Sequence, residues 1–312
     1  MQVNLWGCYL CITERDNMKV VYGHTDSIYV QIDSVETAQK AIKVIEDEVR
    51  KSFPNVLGLE QHPVVLEFEK YYSALGVGTV KNRNAGMITW EDGVYLDEPK
   101  FTMTGFTAKR VSETKLAKWF QTELLKMWAQ QCSFEEINKF LRSSYEDVVN
   151  GRIPVADLAK RSRLKEERFK LMCPKCRSKY NMRDMGQVYN CAKCGTQSKD
   201  FLTEQKKRPS IGSGIAGVLY AWEKQNTTFD DSYIFLKVSG VNDKYTNPLT
   251  KEKRDVEYVA GTILSDFDSY TPDYHHYAEQ LIKKAKPIYE AMGWQMGNIR
   301  TIKGQRTLEE WF

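Results

Sequence analysis

The 312-residue sequence predicts an α+β chain in two parts, strand-rich to about residue 110 and mostly helical beyond it, with a small metal ribbon inserted in the second part. Three observations carry this. Runs rich in Val, Ile and Tyr, punctuated by turn residues, fill residues 18–110. From Ser112 the apolar spacing becomes helical, with Leu116, Trp119, Phe120, Leu124, Leu125 and Trp128 in one stripe. Two Cys-x-x-Cys pairs, Cys173 with Cys176 and Cys191 with Cys194, interrupt the helical part.

Composition narrows the function classes. Net charge is +4, so charge alone neither requires nor excludes nucleic acid; its local clustering decides more. No run of about 18 apolar residues occurs, so no transmembrane helix is expected. No basic region precedes the first apolar residues, so no signal peptide and a cytoplasmic location are expected. Seven cysteines with metal-type spacing argue for a reducing compartment over a disulfide framework. Cys8 and Cys11 lie in an apolar stretch and read as core or helix face.

In chain order, residues 3–14 have helical spacing. Val20 to Val30 follows as a β-hairpin, with Gly23 in the turn and His24 and Asp26 at its tip. Strands fix a carboxylate at such a tip, which suits it to hold a divalent metal; an ordinary polar turn reads equally well locally. Ser34 caps a helix running to about Phe53, stopped by Pro54. Strands are expected at 64–75 and within 76–90, then a hairpin turn at Glu91-Asp92-Gly93 into Val94-Tyr95-Leu96, and a short extended piece at 101–107. Ser133-Phe134-Glu135-Glu136 is a capping box, and Asn150-Gly151 ends the helix it starts. Ile153-Pro154 opens a basic piece over 155–169. A helix after Gly214, a strand over 232–238 and an amphipathic helix from Asp273 to Met292 complete the order.

The cysteine pairs are 14 residues apart, and four thiolates in that pattern suit one tetrahedral Zn²⁺, with an iron–sulfur cluster as the minor alternative. Lys81 and Arg83 flank a turn, where two cations pair with phosphates or simply face solvent. His24 reads as a polar turn residue or, less readily, a ligand. The end of the chain, Gln305-Arg306-Thr307-Leu308-Glu309-Glu310-Trp311-Phe312, places Leu308, Trp311 and Phe312 on one side of a helical turn with Gln305 beside them. That is a hydrophobic plug for a partner, or a tail folded back on its own domain.

Tyr22-Gly23-His24-Thr25-Asp26-Ser27 resembles motif C of family B DNA polymerases, Tyr-Gly-Asp-Thr-Asp-Ser, with His24 in place of the first Asp. Lys81 to Gly86 resembles the family's Lys-Lys-x-Tyr-Ala-Gly segment, with Asn84 in place of the Tyr, and Leu66 to Lys70 its upstream Leu-Glu-x-Glu-Lys run. Gly105 to Arg110 resembles the palm-to-thumb crossing, and Ile153 to Leu158 and Tyr277 to Trp294 resemble thumb segments. The resemblance implies that Asp26 is a Mg²⁺ ligand, with His24 at the second catalytic position, and that Lys81, Arg83, Lys109 and Arg110 bind primer–template DNA. It implies a partial palm over 1–110 and a thumb over 111–297 that contains the zinc ribbon, 171–196. Residues 298–312 resemble a sliding-clamp-binding tail.

The sequence holds no Asp-x-x-Ser-Leu-Tyr-Pro motif A, no fingers helix and no exonuclease segment. The expected function is therefore the small subunit of a split family B DNA polymerase of the kind found in archaea, nucleoid-associated and inactive alone. A larger chain carrying exonuclease, motif A and fingers would complete the active site. A non-catalytic, clamp-recruiting DNA-binding subunit with a decayed site is the alternative, and a fragment of an undivided polymerase a third.

Overall fold

The structure is a computed structural model that describes residues 19–24, 27–53, 55–78, 82–106, 108, 113–164, 170–181, 190–197, 212–225, 227, 229–247, 252–297 and 299. The chain divides into two units, one of Met1–Lys109 with Glu123–Ile137, the other of Arg110–Thr122 with Asn138–Phe312. The described residues form six α-helices and antiparallel sheets, an α+β fold.

In the first unit, β1 (Lys19–His24) and β2 (Ser27–Gln31) form the expected hairpin, in register from Lys19 opposite Gln31 to His24 opposite Ser27. A bulge at Val21 shifts the register and adds local twist. Helix α1 (Val35–Ser52) starts where Ser34 Oγ accepts the Thr37 amide at 3.1 Å. Its Ile45 and Val49 are buried against Val30, Ile32, Phe53, Val64 and Leu66, which fastens the hairpin's exit to the helix.

A three-stranded meander follows: β3 (Lys70–Val77), β4 (Asn84–Glu91) and β5 (Val94–Thr104). The strand expected over 64–75 begins only at Lys70. Asp92 and Gly93, both with positive φ, make the two-residue turn between β4 and β5. The separate extended piece expected at 101–107 is instead the continuation of β5. Pro99 falls in the break of register between Lys100 opposite Ile88 and Tyr95 opposite Trp90, where β5 has no paired residue, so it removes no ladder hydrogen bond. Central β4 supplies buried Ala85, Met87, Ile88 and Trp90.

Helix α2 (Lys115–Ala129) buries Leu116, Phe120, Leu124 and Leu125 as the stripe requires, but Trp119 is exposed, its ring edge on Phe140. Helix α3 (Phe134–Val149) carries both halves of its capping box: Ser133 Oγ accepts the Glu136 amide, and Glu136 accepts the Ser133 amide. The unit boundaries at residues 122 and 137 fall inside these two helices.

In the second unit the basic piece after Pro154 is one helical turn, α4 (Val155–Leu158), and then strand β6 (Lys160–Arg163). Strands β7 (Lys170–Met172) and β8 (Lys179–Asn181) pair around the first cysteine knuckle. Helix α5 (Ser213–Lys224) precedes β9 (Ser232–Ser239), the hub of a sheet. Against β9 pair β6, β12 (Tyr258–Gly261) and β13 (Thr271–Pro272), while β10 (Lys244–Thr246) and β11 (Lys253–Asp255) form a small hairpin. Helix α6 (Tyr274–Met292) is capped by Asp273 and ends at Gly293. Its Tyr277 hydroxyl accepts the Lys237 amide of β9, and burial pushes that phenol's ionisation well up. The expected helix over 3–14 lies outside the described residues.

Candidate functional site

Among the described residues, Tyr22 and Asn82 hold the β1–β2 hairpin to the β3–β4 connection. The Tyr22 hydroxyl donates to Asn82 Oδ1 at 2.9 Å and accepts the Asn82 amide at 3.0 Å. Asn82 sits in the left-handed region, φ 62°, where a short amide side chain is tolerated. Gly78 donates to the Arg83 carbonyl at 2.7 Å and closes the loop. Gly105, φ 73°, lies directly behind it, where a Cβ would fall on the Asn82 carbonyl oxygen. The 82–83 backbone is thus clamped between the hairpin and the end of β5.

Aromatic rings extend this contact. Tyr22 lies 5.6 Å from Tyr29 and Tyr29 6.1 Å from Tyr72, ring centre to ring centre. Burial, with the nearby Tyr29 next, pushes the Tyr72 phenol up to about 12, so it stays neutral. The Tyr71 hydroxyl donates to the Ile32 carbonyl at 3.3 Å, a further tie between the meander and the hairpin's exit.

Of the residues implicated by sequence, Arg83 is half-buried in this clamped loop and His24 is the last residue of β1. Asp26, Lys81, Lys109, Arg110, Gln305, Leu308, Trp311 and Phe312 lie outside the described residues, as does the His24 side chain. Tyr22, Asn82 and Gly105 were not expected to act together. Tyr22 and Asn82 stand 60 positions apart, and no spacing rule links them.

The cysteines do converge. Cys173, Cys176, Cys191 and Cys194 bring their sulfurs within 4.8 Å of one another, with Cys173 to Cys194 at 3.5 Å and Cys176 to Cys191 at 3.3 Å. Zn–S bonds of about 2.3 Å in a tetrahedron put sulfurs roughly 3.8 Å apart, so this donor set fits zinc. The two knuckles repeat one another. The Cys173 amide donates to the Ser178 carbonyl at 2.9 Å and the Cys191 amide to the Thr196 carbonyl at 2.8 Å. Arg177 and Gly195, at matching places, both have positive φ. The Ser178 hydroxyl lies 3.1 Å from Cys176 Sγ and that of Thr196 3.2 Å from Cys194 Sγ, placed to donate to the thiolates of a bound metal. Sequence reasoning missed this second layer, for which the repeated Cys-x-Ser and Cys-x-Thr spacing is the signal that could have found it.

A third constellation joins three segments of the second unit. Glu113 accepts from Lys284 of α6 at 2.8 Å and lies 3.1 Å from Lys160 of β6. Burial pushes the Glu113 carboxyl up, but the Lys284 hydrogen bond and Lys160 outweigh it and hold it below the ordinary carboxylate range.

No helix among the described residues is long and apolar enough to cross a membrane. No curated protein matches the chain. The structure is similar to that of the family B DNA polymerase from the hyperthermophilic archaeon Pyrobaculum calidifontis, with a TM-score of 0.54 and 17% identity. That match covers 93% of this chain and 29% of the other, so the chain spans less than a third of the length of the polymerase it resembles. The family model for DNA polymerase family B matches residues 4–291, nearly the whole sequence. On that match, the chain belongs to DNA polymerase family B.

Proposed function

We propose that the chain is the small subunit of a split DNA-directed DNA polymerase. It supplies a metal ligand, Asp26, and a primer–template grip, Lys81, Arg83, Lys109 and Arg110, to an active site completed by a larger chain. The observation that carries this reading is the Tyr22–Asn82 clamp. It ties the hairpin in whose turn Asp26 falls to the loop in which Arg83 stands, which supports a shared role for these two segments. Phosphoryl transfer depends on such fixed positioning more than on covalent chemistry by the protein.

The donor set supports a divided site. A carboxylate at Asp26 suits Mg²⁺, which takes hard oxygen ligands, and the imidazole of His24 does not. This chain offers one hard ligand at the hairpin, and the larger chain, with motif A, fingers and exonuclease, offers the others. Bound there, Mg²⁺ supplies charge neutralisation at the transferred phosphoryl group. The tail, Gln305 to Phe312, docks the assembly on a sliding clamp.

Primer extension by the reconstituted pair tests this. Asp26→Ala lowers extension by at least about 100-fold, since even outer-shell changes at metal sites cost 10- to 100-fold. Undiminished extension would transfer the chain to the second reading, a non-catalytic DNA-binding and clamp-recruiting subunit. His24, at the family's first Asp position, favours that reading. A large gain on His24→Asp would mark the natural site as weakened.

A further inference from the structure

The ribbon carries a charge pattern unlike the rest of the chain. Residues 170–181 and 190–197 include Lys170, Lys175, Arg177, Lys179 and Lys193 and no aspartate or glutamate. The intervening residues 182–189 add one arginine and one aspartate. Four thiolates on one Zn²⁺ leave two negative charges at the centre, so the loaded ribbon stays net positive. The whole sequence, with 45 basic and 41 acidic residues, is nearly balanced.

Placement sharpens the pattern. Lys175 and Lys193 hold the same position in the two knuckles, directly before the second cysteine, and Arg177 follows the first knuckle. All three are exposed, and none pairs with a carboxylate among the described residues. Exposed lysines elsewhere do pair: Lys51 with Glu48, Lys100 with Glu91 and Lys244 with Asp255. The backbone hydrogen bonds of the knuckles fix where these cations stand, and a zinc ion on the four cysteines would hold them further.

We infer that the two knuckles form a separate contact for the phosphate backbone of DNA, reached by Lys175, Arg177 and Lys193. Cations on a rigid frame, with no carboxylate among them, neutralise phosphates without reading bases. The inference rests on the chain's acting on DNA, not on its hairpin being catalytic. The metal's role is to hold the cationic tips.

The test is anisotropy of a labelled DNA duplex with the zinc-loaded full chain, titrated between about 50 and 200 mM salt, without nucleotide or larger chain. The variant is Lys175→Gln with Arg177→Asn and Lys193→Gln; Asn is chosen because residue 177 has φ 59°. With zinc content unchanged, affinity falls about tenfold or more at about 100 mM salt. The slope of log affinity against log salt shrinks by about 0.9 for each phosphate that the variant no longer neutralises. A single-stranded probe separates the forms of DNA, because there the slope shrinks by about 0.7 per phosphate. If the triple variant loses zinc, Lys193→Gln alone is read, with an expected slope change of about 0.9. Unchanged affinity and slope in a zinc-loaded variant overturn the inference. Failure of primer extension leaves this measurement untouched, so the two readings fail separately.

Discussion

Tyr22 makes two hydrogen bonds through one oxygen, and both end on Asn82. A phenylalanine there keeps the ring contact with Tyr29 and removes both bonds. Tyr22→Phe is expected to cost about 0.5–1.5 kcal/mol, the net range for an intramolecular hydrogen bond, because Asn82 is exposed and water can take the place of the hydroxyl. Urea denaturation measures it, and a cycle with Asn82→Ala shows whether the cost belongs to that pair. If the two substitutions add without coupling, the clamp contributes nothing to stability. The partners could not have been paired from sequence. The four cysteines were legible because their chemistry is written in short local spacing. The clamp is made by chain segments that meet only after folding, through an asparagine whose backbone conformation no motif encodes.

Among elements, those legible in advance carry local instructions. Ser34, Ser133 and Asp273 begin their helices with side-chain caps, Gly293 ends one, and Asp92-Gly93 fixes a two-residue turn. Strands β6, β12 and β13 are two to four residues long and owe their form to pairing with β9, a non-local cause that periodicity over a short window does not register. The basic piece after Pro154 carried no local signal for the same reason, because Lys160 and Arg161 sit in a strand made by its partner. Glu113, just before α2, ties β6 to α6. Its carboxyl is held below the ordinary range, so its contribution is complete above the unfolded glutamate value and is lost as pH falls through the lower folded value. Glu113→Gln should destabilise by about 2 kcal/mol at neutral pH, leaving Lys160 and Lys284 without their shared partly buried carboxylate. Thermal melts across acidic pH should bring the two proteins together as pH drops. A gap that persists below the carboxylate range would assign the effect to packing.

At the scale of the molecule, each proposed contact lies on a different part of the sequence: hairpin and loop before residue 110, ribbon after 170, tail after 304. Separate contacts multiply through effective concentration, so weak grips on template and clamp can together hold a polymerase in place. The tail is the part most readily isolated. Leu308, Trp311 and Phe312 concentrate large apolar area on one helical turn, and aromatic anchors of that kind dominate interface energies at about 2 kcal/mol or more each. Trp311→Ala should therefore weaken binding to an immobilised sliding clamp at least about 30-fold, and truncation before Leu308 should abolish it. DNA binding measured without the clamp should stay as it was, because ribbon and loop are untouched. A tail that instead folds back on its own domain gives the opposite result: clamp binding survives truncation, and the melting temperature falls. Surface binding and a thermal melt on the same truncated protein decide between an anchor for a partner and a strap for the chain itself.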